Sequence, residues 1–351
     1  MNPSQPIGFG IIGLGMIAEF HVKAIENIPG AKFVGGYNRT FEKAKAFCAA
    51  CGGTPFATAE DLFADPAIDI VVIATPSGMH LDYAVQAAEA GKHIIVEKPL
   101  EVTTARCDRI LSAAAKNIVR VCTIFPSRFH ASSQLIKRVI EQGRLGRIVL
   151  ADAQIKWYRS QAYYDSGAWR GTWEYDGGGA LMNQGIHAID LLQWFMGDVT
   201  EVSGYTATLA HERIEVEDTA VATLKFANGA LGVIEGTTGA YPGFLKRLEI
   251  CGSKGSVVME EESITHWQFA EELPEDQEIR DRLLHNTQTG GGSADPRAIS
   301  FEGHRLQFSA FIDSLRDGTP FGLEGAEGRK SVAIIEGVYR SANEGRPVKP
   351  M

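Results

Sequence analysis

The stretch Gly10-Ile11-Ile12-Gly13-Leu14-Gly15-Met16-Ile17-Ala18 decides the fold of the first third of this chain. Residues 7–12 form an apolar run that reads as a strand buried on both faces, and residues 16–28 carry a helical pattern. The glycines therefore sit at a strand-to-helix turn. Gly13 permits the tight bend, Gly15 lets a phosphate approach bare backbone, and small Ala18 allows close helix–sheet packing. Met16 and Ile17 open the helix, where free amides and the positive dipole end attract an anion. In this setting Gly-x-Gly-x-x-Ala is a dinucleotide fingerprint, and it predicts a nicotinamide cofactor.

Outward from that turn, the same alternation repeats. Strands are expected at residues 32–37, 70–74 and 93–96, with helices at 41–51, 59–64, 80–90 and 103–116 and Thr40 as the N-cap of the first. Fully apolar strands separated by helices predict a doubly wound parallel sheet, an α/β Rossmann domain over residues 1–125. The character then changes. A helix at 132–141 leads into strand-like segments at 147–158, 199–208, 218–226, 230–236, 245–252 and 256–260, with Asn228-Gly229 as a hairpin turn. This predicts an α+β second domain over 126–351, with an open-faced, mostly antiparallel sheet. Residues 271–296, which include Gly290-Gly291-Gly292, read as a loop or lid. Helices at 303–316 and 325–342 are free to pack back on the first domain.

Composition narrows the function. The 351 residues are 44% hydrophobic and 22% charged, which fits a folded two-domain protein. A net charge of −9 with no basic block argues against nucleic acid as a partner. No apolar stretch is long enough for a membrane span and no basic leader precedes one, so the expected setting is cytoplasmic. Cys48, Cys51, Cys107, Cys122 and Cys251 are scattered, as in a reducing compartment, and Cys48 and Cys51 fall within a helix rather than at a redox turn. The nine histidines are dispersed and no metal-ligand spacing occurs, so no metal is expected.

The second strand ends in Asn38-Arg39-Thr40 where a carboxylate would bind the adenosine ribose. An acid would repel a 2′-phosphate, whereas Arg39 and Thr40 can receive one, so the reading leans to NADP over NAD; Arg39 lying flat on adenine is the alternative. Further along, Thr75-Pro76 with His80 follows the 70–74 strand, and Glu97-Lys98-Pro99 follows the next. Both turns lie at strand ends that face a dinucleotide in this fold. In the second domain, Asp176-Gly177-Gly178-Gly179 opens a helix on which Asn183 and His187 are four apart and share a face.

Together these ordered motifs resemble the glucose–fructose oxidoreductase/inositol dehydrogenase/rhizopine-catabolism family, Gfo/Idh/MocA, over essentially the whole chain. The resemblance implies a Rossmann domain with a sheet domain that often mediates dimers or tetramers. It places Lys98, Asn183 and His187 on the catalytic positions, and Trp169-Arg170 against the nicotinamide half of the cofactor. This sequence departs from the common pattern at Ser77, for a frequent Asn, and at Asn183, for a frequent Asp. The expected reaction is reversible oxidation of a secondary alcohol, with His187 as base and Lys98 stabilising the alkoxide.

Residues 157–174 are rich in aromatic and hydrogen-bonding groups, as a carbohydrate pocket requires, although an oligomer interface uses the same residues. Tyr163, Arg170, Asn183, Gln184 and His187 are the expected substrate contacts. Within the family this stretch, with Met182-Asn183-Gln184 and the run Glu215-Val216-Glu217-Asp218-Thr219, looks most like bacterial enzymes that oxidise C3 of UDP-N-acetylglucosaminuronic acid. Dehydrogenases of free sugars, glycosides or inositols are the alternative, and a non-catalytic dinucleotide-binding regulator is the alternative of another class.

Overall fold

The computed structural model describes residues 6–284 and 300–351. The chain divides into two compact units, Met1–Pro126 with Ser300–Val332, and Ser127–Ile299 with Ala333–Met351. Beyond the boundary near residue 125, the chain returns to the first unit for Ser300–Val332. Each unit has its own sheet.

In the first unit, β1 (Ile7–Ile12), α1 (Met16–Glu26), β2 (Ala31–Tyr37), α2 (Phe41–Cys51), β3 (Thr54–Phe56), α3 (Ala59–Ala64), β4 (Ile70–Ile73), α4 (His80–Glu89), β5 (His93–Val96), α5 (Thr104–Lys116) and β6 (Val121–Thr123) follow in order. The six strands are all parallel, in the order β3-β2-β1-β4-β5-β6. That order reverses direction between β1 and β4, the place where a doubly wound sheet opens its ligand crevice. Every residue of β1 and β4 is buried, which is why both read as uninterrupted apolar runs. Thr103 caps α5 by accepting the Arg106 N–H. Thr40 stands at the N-cap of α2 but makes no side-chain cap bond. The three-residue strands β3 and β6 were not expected.

The second unit begins with α6 (Ala131–Glu141), β7 (Ile148–Lys156) and a short α7 (Gln161–Asp165). It continues through a π-helical turn (Ala180–Gly185), α8 (Ile186–Met196), β8 (Val199–Ala207), β9 (Thr219–Phe226), β10 (Leu231–Thr237), β11 (Arg247–Gly252), β12 (Gly255–Glu260), β13 (Ser263–Phe269) and α9 (Pro274–Leu284). Seven strands run in the order β13-β12-β11-β7-β10-β9-β8. All pairings are antiparallel except β7 with β10. Along β9 and β10 burial alternates, so one sheet face packs on helices and the other is left open.

The expected loop at 271–296 is in part wrong. Its first portion is α9, anchored by buried Asp276, which accepts the Leu273 and Trp267 N–H groups and pairs with both terminal nitrogens of Arg144. Gly290-Gly291-Gly292 lies outside the described residues. Helix α10 (Glu302–Asp317) returns to the first unit, where Phe308 stacks on Phe9 with ring centres 6.1 Å apart. The last helix, α11 (Gly325–Glu344), starts in the first unit and ends in the second.

Candidate active site

Four strand ends of the first unit, those of β1, β2, β4 and β5, carry the residues expected to hold the cofactor. At the β1–α1 turn Gly13 has φ of 92°, and a Cβ there would stand 2.5 Å from the Ala74 carbonyl oxygen, so glycine alone fits. Gly15 caps α1 without a side-chain hydrogen bond, and a Cβ there would meet nothing within 4 Å. The start of α1, at Met16 and Ile17, is thus uncovered and fits the pyrophosphate of a dinucleotide. After β2, Asn38 Oδ1 accepts the Thr40 N–H at 3.0 Å, in a turn that leaves Arg39 exposed.

The turns after β4 and β5 are tied from beneath. His80 has no exposed surface; Nδ1 lies 3.0 Å from the Pro99 carbonyl oxygen and Nε2 3.0 Å from that of Thr75. Burial pushes its pKa down, and a neutral ring carries one N–H, so it donates to one of these two carbonyls and packs against the other, between the Thr75-Pro76 and Lys98-Pro99 turns. This corrects its expected place among the cofactor contacts, because no face of the ring is left for a ligand. Glu97 is likewise turned inward. Oε2 accepts the Lys98 N–H at 3.1 Å, and Oε1 lies 3.0 Å from Nε2 of buried His21. Burial opposes its charge, but His21, His304 and Lys98 outweigh that and hold the carboxyl at about 2. Glu97 therefore fixes the lysine turn through the backbone.

That cluster also revises the picture of dispersed histidines. Ligand atoms of His21, Glu97 and His304 lie within 4.8 Å of one another, and the two imidazoles meet edge to face with centres 5.4 Å apart. Two imidazoles and a carboxylate are a donor set that can take a divalent cation. Spacing along the chain concealed it, since His21 is on α1 and His304 on α10.

In the second unit four of the expected substrate residues, Tyr163, Arg170, Asn183 and Gln184, form one hydrogen-bonded chain. Arg170 Nη1 donates to Tyr163 Oη at 2.7 Å, and Gln184 Nε2 donates to the same oxygen at 3.0 Å. Gln184 Nε2 also reaches Asn183 Oδ1 at 2.7 Å, while its Oε1 accepts Arg159 Nη2 at 2.8 Å. Asn183 Nδ2 in turn donates to Oδ1 of buried Asp176, whose Oδ2 accepts the Gly171 N–H at 2.9 Å. The Arg170 guanidinium lies 4.4 Å from the Trp169 ring centre and 4.3 Å from that of Tyr163. Burial pushes the Tyr163 pKa up, so the phenol stays neutral.

The helix bearing Asn183 and His187 differs from the expected one. Residues 180–185 make a π-helical turn, and the α-helix proper starts at Ile186. Such turns recur at functional sites because they re-aim side chains. Asp190, one turn beyond His187, forms a buried two-bond pair with Arg128 at 2.7 and 2.8 Å, which fixes the inner side of α8. The sequence reading included Arg159, Asp176 and Glu217 in its motifs without giving any of them a role, and it did not single out Tyr339. Two consecutive acids just before a strand, Glu217-Asp218, were a local signal for the third.

Comparison with known proteins places these residues in a family. Residues 7–125 match the model of the oxidoreductase family with an NAD-binding Rossmann fold, GFO/IDH/MocA, and residues 133–258 match the GFO/IDH/MocA C-terminal domain. The solved structure of the WlbA dehydrogenase from Bordetella pertussis, in complex with NADH and UDP-GlcNAcA, is 38% identical and superposes with a TM-score of 0.90, covering 99% of this chain and 98% of that one. An uncharacterized oxidoreductase, YrbE of Bacillus subtilis (strain 168), is 32% identical over 72% of this chain and 73% of its own length. Myo-inositol 2-dehydrogenase of Thermotoga maritima is 26% identical over 97% of both chains. The chain belongs to the GFO/IDH/MocA family of oxidoreductases: it is an NAD-binding Rossmann-fold dehydrogenase that acts on CH–OH groups.

Proposed function

We propose that this enzyme oxidises the C3 hydroxyl of a UDP-N-acetylhexosaminuronic acid to the ketone. The observation that carries the reading is a pair of guanidinium groups, Arg159 and Arg170, centred 5.6 and 4.3 Å from the Tyr163 ring. Burial lowers the Arg159 pKa, yet a guanidinium stays charged at any physiological pH. Two cations beside the Asn183–Gln184 turn suit an anionic sugar, whereas a neutral polyol has no use for them. The solved relative that holds NADH and UDP-GlcNAcA supports the same substrate.

A bound nicotinamide supplies the acceptor for the hydride that leaves the carbinol carbon. His187 takes the hydroxyl proton as the carbonyl forms, and Lys98 donates a hydrogen bond to the oxygen as its charge develops. Asn183, a neutral amide where relatives often carry an acid, orients that oxygen's surroundings, and Asp176 directly behind it supplies the carboxylate instead. Thr75, Pro76, Met16 and Ile17 would hold the cofactor, and Trp169 and Arg170 are the residues that would serve its nicotinamide half. The turn at Asn38-Arg39-Thr40 lacks the acid that would bar a 2′-phosphate, so NADP is accepted as well as NAD.

We also infer a homodimer or homotetramer assembled through the open sheet face, in a reducing cytoplasm. None of the five cysteines is in a disulfide, and no helix among the described residues is long and apolar enough to cross a membrane.

The test is reduced-nicotinamide formation with both cofactors against UDP-N-acetylglucosaminuronic acid, free aldoses, glycosides and inositols. Turnover confined to the nucleotide sugar is expected, and turnover confined to neutral polyols retires the reading. Lys98→Met and His187→Ala should each lower kcat by about 100-fold or more. Retained turnover in either variant removes that residue from the mechanism.

A further inference from the structure

Helix starts leave backbone N–H groups without intrahelical partners. At the start of the Asn183–His187 segment, one residue distant in sequence takes three in succession. Glu217, next to β9, accepts the Gly179 N–H at Oε2 and the Leu181 N–H at Oε1, both at 2.9 Å. Its main-chain carbonyl accepts the Ala180 N–H at 3.0 Å. Tyr339, in the part of α11 that belongs to the same unit, donates its hydroxyl to Oε1 at 2.9 Å. Glu217 is 4% exposed, so water does not substitute for these donors.

The fit is close. A Cβ at Gly179 would stand 1.8 Å from the Glu217 carbonyl oxygen, and one at Gly178 would stand 2.2 Å from Tyr339 Oη. The Gly179 carbonyl then receives the Asn183 N–H at 3.0 Å, so the anchored glycine is bonded directly to a site residue. Neighbouring Asp218 faces elsewhere, accepting the Leu209, Ala210 and His211 N–H groups.

We propose that Glu217 and Tyr339 are positioning residues that clamp the π-helical turn ahead of His187, and that a proton arriving at the Glu217 carboxylate releases the clamp and slows turnover. The roles of Asn183 and His187 are those of the proposed function. Ionised, the carboxylate accepts all three of its donors. A proton on either oxygen turns an acceptor into a donor, and one of the three loses its partner. Burial pushes the Glu217 carboxyl up to about 7, against the pull of the two N–H groups and the Tyr339 hydroxyl, so the change falls in the working range. The other titratable groups here are Tyr339 from α11 and Tyr164 from α7. Burial raises both pKa values, so neither ionises in that range. Asp176, the other acid of the turn, spends its oxygens on the Gly171 N–H and Asn183.

The experiment compares wild type with Glu217→Gln and Tyr339→Phe in two ways. In pH–rate profiles, log kcat of the wild type should step down by about one log unit as a proton reaches Glu217 near pH 7. Glu217→Gln should lower kcat about tenfold, with KM little changed, and remove that step. Tyr339→Phe removes a donor that favours the carboxylate, so the step should move to higher pH. A merely structural role would lower stability in both variants without altering the step or its midpoint, and that outcome overturns the proposal.

The second arm needs neither cofactor nor substrate. Because the folded pKa lies above the unfolded value, this group's contribution to stability is full below about 4.3 and is lost as pH rises to about 7. The thermal midpoint of wild type relative to Glu217→Gln should therefore fall across that window. A flat difference shows that Glu217 takes up no proton on folding and overturns the proposal, whichever sugar is the substrate.

Discussion

Arg39 is exposed just after β2, in a turn held by the Asn38 side chain, with no carboxylate at the strand end. A guanidinium there can form paired bonds to a ribose phosphate or lie on the adenine, and the two arrangements respond differently to its removal. Arg39→Ala should raise KM for NADP about tenfold or more and leave KM for NAD within about twofold, as steady-state kinetics with both cofactors will read. An equal loss for both places Arg39 on the adenine instead. At this scale the sequence was informative where one residue does one job by itself. Gly13, Gly15 and Lys98 belong to short contiguous motifs whose chemistry is local. His80 and Glu97 were visible as motif members, but their roles were not, since each acts through partners on another element. His21, His304 and Glu217 have partners many residues away, and no spacing rule connects them.

Longer elements were legible because hydrophobic periodicity accumulates over many residues. β1, β4 and α5 are examples, each with either complete burial or one buried stripe. β3 and β6, with three residues each, carry too little pattern, and α9 is too polar to display a stripe. The π-helical turn is a different case. Its sequence is compatible with an ordinary helix start, and its shape is imposed from outside, by Glu217 taking consecutive N–H groups. The structure gives this element one sharp test. Gly179→Ala drives a Cβ into the carbonyl that holds Ala180, and backbone cannot yield as a flexible side chain can. The variant should lose roughly 3 kcal/mol or more of stability by denaturant unfolding, a size reached only by strain or a broken buried network. A loss below about 0.5 kcal/mol would mean that the turn is not clamped as described.

At the scale of the whole molecule, the second unit's sheet is the feature without a covering layer. Helices bury Ala220, Ala222, Leu224 and Ile234 on one face, whereas the other presents Leu150, 38% exposed, beside Leu231, 54%, and Tyr205, 78%, beside Val221, 48%. Most of its charges are paired within the chain. Lys156 pairs with Glu235, and Arg247 is shared by Glu249 and Glu260. Asp152 has its pKa raised by burial and by Glu249 and Glu235, so the neighbouring acids weaken its charge. Apolar in paired spots and with only a small acidic excess, such a face can meet its own copy about a two-fold axis. The wild type should therefore sediment as a dimer or tetramer at micromolar concentration. Leu231→Arg combined with Val221→Arg sets four like charges at the centre of a two-fold interface and should shift the protein to a smaller species with its fold intact by circular dichroism. A wild type that is monomeric throughout, or a double variant of unchanged mass, would mean that this face does not join copies of the chain.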